Sequence, residues 1–422
     1  MGSTLAEKVL SRAAGRTVRA GEDVQARPDF VLAYIWPGSI SDMLLHRAQR
    51  EYEVDGVLHP ERLALFIDHN TPSTNAASEA LHQQVRDWTR RHGVALYDRQ
   101  GIGHLVAAEQ GYAVPGGFVV HFDPHVSQLG AFGTLAIGLQ VGIVEAFVRE
   151  TVSLRVPATV RVEFEGRLAP GVMARDVFHH LLRQLGSSGC RNAVLEFAGP
   201  GLEAFSIGDL QCMTGLSMFT GAMASVVEPT EAILAEGARR ARMPLPVQRS
   251  DSDAAYLGVH RIDLAACEPM VVLPPSPANV ERLVDHAGLR IDAGYVGSCA
   301  SGRIEDLRAA AEVLRGRRVR PGFQLNVVPS SQAIMADAAR EGLLGVFAEA
   351  GAFVSPPTCS YCYGGAGQLL AGQRALSTGT LNVRGRMGSA DAEIVLASAA
   401  SVAAAAIEGA VTDPRPLLAG AA

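Results

Sequence analysis

Past residue 290 the chain alternates short apolar runs with stretches whose apolar positions recur every three to four residues. Residues 293–297 read as a buried strand, 298–302 as a loop, and 304–315 as a helix carrying Leu307, Ala310, Ala311 and Leu314 on one face. Residues 323–328 form the next expected strand. Pro329-Ser330-Ser331 opens a helix to about Glu341, and residues 344–353 lead the chain back to the sheet. Earlier, a strand over 159–164 and a helix over 173–185 repeat the same unit. This alternation predicts an α/β fold of parallel or mixed sheets covered by helices. In such sheets ligands sit beyond the carboxyl ends of the strands, where Ser298-Cys299 and Pro357-Thr358-Cys359 fall.

The proline-rich 273–278 stretch is the best linker candidate, and a softer boundary falls near Arg155-Val-Pro157. Domains are therefore expected over residues 1–155, 156–277 and 278–422. Two apolar stretches, 129–144 and the alanine-rich 394–407, fall short of about 20 unbroken apolar residues and are expected as buried core helices. No membrane span is predicted. The first residues lack an apolar segment with a small-residue cleavage site, which predicts a cytoplasmic protein.

Charge narrows the function classes. With 43 acidic against 37 basic residues, the net charge is −6 and offers no broad basic face for nucleic acid. Six cysteines in 422 residues argue against a disulfide framework. Cys359-Ser-Tyr-Cys362 and Cys299 make three thiols in loops expected at strand ends of one domain. A structural zinc site would want a fourth ligand, whereas a [4Fe-4S] cluster on three thiolates keeps one open iron. Spacing alone leaves the cluster, a redox-active pair and simple burial all open. Cys190, Cys212 and Cys267 have no partner at ligand spacing and are expected to be structural.

The stretches Gly297-Ser-Cys-Ala-Ser-Gly-Arg-Ile-Glu-Asp-Leu307, Thr358-Cys-Ser-Tyr-Cys-Tyr-Gly364 and Ser377-Thr378 through Gly385-Arg-Met-Gly388 resemble the aconitase superfamily, in particular the large subunits of its isopropylmalate dehydratase and homoaconitase branch. Ile67-Asp-His-Asn-Thr-Pro72, Gly101-Ile-Gly-His104, Asp123-Pro-His125 and Gly130-Ala-Phe-Gly133 follow the family's order. The resemblance implies a three-domain core and a [4Fe-4S] cluster on Cys299, Cys359 and Cys362. It implies a hydro-lyase or isomerase that removes and returns water on a small hydroxy acid. Asp68, His69, His104, Asp123 and His125 then fall at positions of the family's acid–base network, and Arg386 at an arginine that meets a substrate carboxylate. His121 has no family match and is expected as an ordinary core histidine. By the resemblance, the family's C-terminal swivel domain, which carries a catalytic serine, is expected on another chain. A separate small subunit is implied as partner.

Several residues depart from the family pattern. Phe219 stands for a glutamate, Gly215 for an asparagine, Pro124 for a serine, Val126 for a threonine and Ser301 for an asparagine. Thr380 and Leu381 replace an asparagine and an arginine, and Ile35 an aspartate. These changes imply a specialised paralogue. A different lyase or sulfur chemistry at the open iron, or a catalytically silent subunit, are the alternatives.

Overall fold

The computed structural model describes residues 2–35 and 57–419. Its first sheet has five parallel strands in the order Ala95–Asp98, Leu63–Ile67, Phe30–Tyr34, Phe118–His121 and Leu135–Gly138. These strands are apolar at consecutive positions because both faces are covered. Phe30, Leu32, Ala64, Phe66 and Val119 enter one core, while Val31, Ala33, Leu65, Ile67, Phe118 and Val120 enter another with Leu5, Val9 and Val85 of the covering helices. A two-stranded antiparallel ribbon, Asp23–Ala26 with Val152–Arg155, stands beside it.

A second parallel sheet runs Ala224–Val227, Ala193–Ala198, Ala158–Glu165, Gly258–Asp263. The third has seven strands, ordered Val280–Arg282, Met270–Val272, Glu393–Ala397, Arg374–Ser377, Ala293–Val296, Gln324–Val327, Phe353–Val354. Met270–Val272 is antiparallel to both its neighbours and the remaining pairs are parallel. The expected α/β class is what forms. The proline-rich 273–278 stretch connects two adjacent antiparallel strands of this third sheet.

Two expectations are corrected. Residues 129–144 do not make one helix: the chain forms a 3-10 segment Pro124–Phe132, a strand Leu135–Gly138 and a helix that starts at Ile143. The glycines explain the break. Gly133 turns at φ +72, and a Cβ on Gly130 would stand 1.9 Å from the Ser225 carbonyl oxygen. Likewise 394–407 splits into the strand Glu393–Ala397 and the helix Ala399–Glu408, with Ser398 extended between them. Ile394 and Val395 are apolar and β-branched, which suits the inner strand they occupy. Cys190, Cys212 and Cys267 are buried in the core, as expected.

Candidate active site

The first and third sheets direct the carboxyl ends of their strands toward one cavity of about 390 Å³. Tyr34 closes its strand, Asp68 and His69 follow Leu63–Ile67, and Asp123 follows Phe118–His121. From the third sheet, Cys299 follows Ala293–Val296, Cys359 and Cys362 lie beyond Phe353–Val354, and Thr380 and Leu381 lie beyond Arg374–Ser377. All nine residues singled out from sequence line this cavity: Asp68, His69, His104, Asp123, His125, Cys299, Cys359, Cys362 and Arg386. Backbone bonds tie the two sets of loops together, Cys359 N donating to Asp68 O at 3.0 Å and Ile102 N to Ser330 O at 2.9 Å.

Two aspartate–histidine couples dominate the wall. Asp68 accepts from the Gly103 amide at 2.8 Å and pairs with His69 Nδ1 at 2.6 Å. A Cβ on Gly103 would sit 2.8 Å from Phe66 Cβ, so only glycine lets that amide approach. Asp123 Oδ1 accepts from the His125 amide at 2.7 Å and from His125 Nδ1 at 2.8 Å, with His104 Nε2 at 3.6 Å. Burial pushes the Asp123 carboxyl up, but the charge of His125 and hydrogen bonds from His104 and His125 outweigh it and hold it well below the usual carboxylate range. An ionised Asp123 only accepts, so His125 presents an Nδ1–H to it, and Nε2 faces no partner among the described residues.

Three further residues, Tyr34 on the wall and His121 and Arg303 behind it, support these groups and were not singled out as functional. Tyr34 Oη donates to Asp123 Oδ2 at 2.8 Å, and its ring packs 4.7 Å from that of His69. Burial first, then the Asp123 charge, raises its phenol and keeps it a donor. His121 is more than a core filler: its Nδ1 accepts from the Asp123 amide at 2.8 Å and its ring lies 4.7 Å from that of His104. Burial, with His104 adding to it, pushes His121 well down and keeps it neutral. Arg303 is buried and donates through Nη2 to the Cys299 carbonyl at 2.9 Å and to Gln128 Oε1 at 3.0 Å. The arginine was visible in the Gly302-Arg303-Ile304 motif, but nothing in sequence tied it to Gln128.

The replacements seen in sequence divide by place. Pro124, Thr380 and Leu381 line the cavity, as do Ile102, Phe122 and Met218. The Phe219 ring stands edge-on to His125, centroids 6.2 Å apart. A Cβ on Gly215 would stand 3.3 Å from Gln128 Cβ, closer than an ordinary contact. Ile35 and Val126 are core residues, and the Ser301 hydroxyl is buried without a partner among the described residues.

The donor set can be tested against the group the cysteines suggest. Burial and then the neighbouring Cys362 charge push the Cys299 and Cys359 thiols well up, so thiolates here need a compensating cation. Among the described residues no three His, Cys, Asp or Glu groups close on a single metal ion. Instead the three cysteines share the wall of one cavity. Tyr295, whose charged neighbours include all three cysteines, has a buried hydroxyl with no partner among the described residues, a donor such a group could use. The residues fit an iron–sulfur cluster.

Loops of parallel sheets that bring three thiols and two aspartate–histidine couples to one cavity define a member of the aconitase family, to which this chain belongs: the profile of the Aconitase family (aconitate hydratase) matches residues 43–287 and 281–409. The homoaconitase large subunit of Thermus thermophilus is 40% identical over 421 residues, covering 99% of this chain and 98% of that one. The 3-isopropylmalate dehydratase large subunit 1 of Methanopyrus kandleri is 36% identical over 422 residues, covering 99% of this chain and all of that one. The corresponding large subunit 2 of Rubrobacter xylanophilus is 37% identical over 98% of each chain. Among the described residues no helix is long and apolar enough to cross a membrane.

Proposed function

We propose that this chain is the cluster-bearing large subunit of an aconitase-type hydro-lyase or isomerase acting on a small hydroxy acid. One observation carries the reading: three thiols and the Asp68–His69 and Asp123–His125 couples line the same cavity. Cys299, Cys359 and Cys362 would hold a [4Fe-4S] cluster, which when bound supplies an iron without a protein ligand as Lewis acid for a hydroxyl. Thr380 Oγ1, 3.9 Å from Cys362 Sγ, and Arg386 Nη2, 3.8 Å from it, temper the charge of that thiolate.

The chain's own residues handle protons and orientation. Asp68 and Asp123 fix the tautomers of His69 and His125 by accepting at Nδ1. In its imidazolium form, with Nδ1–H kept on Asp123, His125 can then give its Nε2 proton to a departing hydroxyl and recover it when water returns. Tyr34 and His121 hold Asp123 from its carboxylate and its backbone. Arg386, half-buried at the wall, meets a substrate carboxylate. The relatives named above are all called large subunits, which supports a second chain as partner. The altered wall at Pro124, Thr380 and Leu381 supports a specialised substrate.

Mössbauer spectra of anaerobically purified, iron-57-labelled protein, with and without hydroxy acids, test this reading. The expected result is a four-iron cluster with one distinct iron whose lines move on acid addition, together with exchange of the acid's hydroxyl oxygen with solvent. A cluster blind to every hydroxy acid would return the weight to other lyase or sulfur chemistry. No cluster at all would favour a silent subunit.

A further inference from the structure

Among the described residues lining the cavity, Arg386 is the one arginine or lysine. Its Nε and Nη2 already face the Cys362 carbonyl and sulfur, at 3.2 and 3.8 Å, which leaves Nη1 to grip one carboxylate. The other charged groups on the wall are Asp68 and Asp123, and the Nδ1 atoms of His69 and His125 are committed to them. Among the described residues a second substrate carboxylate would enter beside two anions with no further permanent cation to meet it, and an unpaired buried charge is costly. Ile102, Phe122, Pro124, Met218 and Leu381 make up the apolar part of the wall. Phe219 backs His125.

We infer that the site takes 3-hydroxy acids with a single carboxylate and an apolar arm, a ligand class that rests on the hydro-lyase reading above. The position of the hydroxyl follows from chemistry. With one carboxylate, the only acidified C–H lies next to it, at C2, so the leaving hydroxyl must be on C3. The C2–H electron pair becomes the C2=C3 double bond, and the C3–O pair leaves with oxygen. That oxygen takes the Nε2 proton of a His125 imidazolium, whose Nδ1–H stays on Asp123, and departs as water. His104, whose Nδ1 has no partner among the described residues, can accept the C2 proton, so atoms and charge balance with no oxidant or reductant. The product is a 2-enoate. Its arm rests on Phe122, Met218 and Leu381, which supply contact area and no hydrogen bonds.

Titration calorimetry on the full chain, purified anaerobically with any chain that accompanies it, tests the class using 3-hydroxyhexanoate, 3-hydroxy-3-phenylpropanoate, malate and citrate. The two apolar acids are expected to bind roughly tenfold tighter or better than malate. Leu381→Arg should reverse that order, and Leu381→Ala should weaken the phenyl acid while leaving malate unchanged. Tighter binding of malate or citrate by the unaltered chain overturns the assignment, as does binding of none of the four. A Mössbauer spectrum of the same sample separates the two readings. The apolar preference without a cluster supports the ligand class and sinks the hydro-lyase, whereas a cluster with a malate preference does the reverse.

Discussion

The hydroxyl of Tyr34 and the imidazole of His125 hold opposite oxygens of one carboxylate, Asp123, each at 2.8 Å. The phenol comes from the end of a neighbouring strand, so the aspartate cannot rotate without losing one of them. Tyr34→Phe removes a hydrogen bond to a charged group, worth about 1.5–3 kcal/mol. Turnover should fall roughly tenfold to a hundredfold, while the melting temperature falls by only about a few degrees in a chain of this size. Equal losses in turnover and stability would make Tyr34 a structural residue only.

Each of Cys299→Ser, Cys359→Ser and Cys362→Ser is expected to strip the protein of most of its iron and sulfide after anaerobic reconstitution. Cys267→Ala, at a core position away from the cavity, should keep the full complement. Iron and acid-labile sulfide assays decide this. Full iron retention in any of the three serine variants would remove that cysteine from the ligand set.

Arg303 spans two acceptors, Cys299 O and Gln128 Oε1, from a fully buried position. Arg303→Met leaves both without that donor and should lower unfolding free energy by roughly 2–4 kcal/mol in urea titrations. The variant's cluster should also yield iron to a chelator faster, because the loop bearing Cys299 loses its anchor. An unchanged denaturation midpoint would count against this role.

Asp176, at the start of the helix Ala174–Leu185, accepts from the Met173 and Met270 amides at 2.9 and 3.1 Å. Burial pushes its pKa up to about 6, against those hydrogen bonds. The folded state therefore holds a proton that the unfolded chain releases near pH 4. Its contribution to stability is complete below about pH 4 and is lost as pH rises through 6. Relative to Asp176→Asn, which does not titrate, the native protein should lose on the order of 2–3 kcal/mol across that window. Urea melts at a series of pH values give the difference, and a flat line would refute it.

The linear motifs were legible because loops at strand ends keep their chemistry in short runs: Asp68-His69, Asp123 with His125, and Cys359 with Cys362 each lie within four residues. The α/β alternation was legible for the same local reason, apolar runs against helical spacing. Tyr34 and Arg303 were not, because Asp123 and Gln128 lie 89 and 175 residues from them, and His121, though two residues from Asp123, reads like any buried strand residue. Apolar wall residues such as Phe122 and Met218 read like any core position until the fold places them at a cavity. The 129–144 and 394–407 stretches misled because hydrophobicity alone does not separate a helix from a strand followed by a helix. Close backbone approach at Gly130 and the extended Ser398 decide it, and both depend on tertiary neighbours.

Cys359 N on Asp68 O, Gly103 N on Asp68 Oδ2 and Arg303 on Cys299 O are bonds that involve main-chain atoms. They fix the acid–base wall and the thiols as one frame. Phe122, Met218 and Leu381 line the cavity and make none of those three bonds. Selection can therefore exchange those three while the reactive groups stay where they are, so that one scaffold can be retuned from acid to acid by point substitutions that leave the chemistry in place.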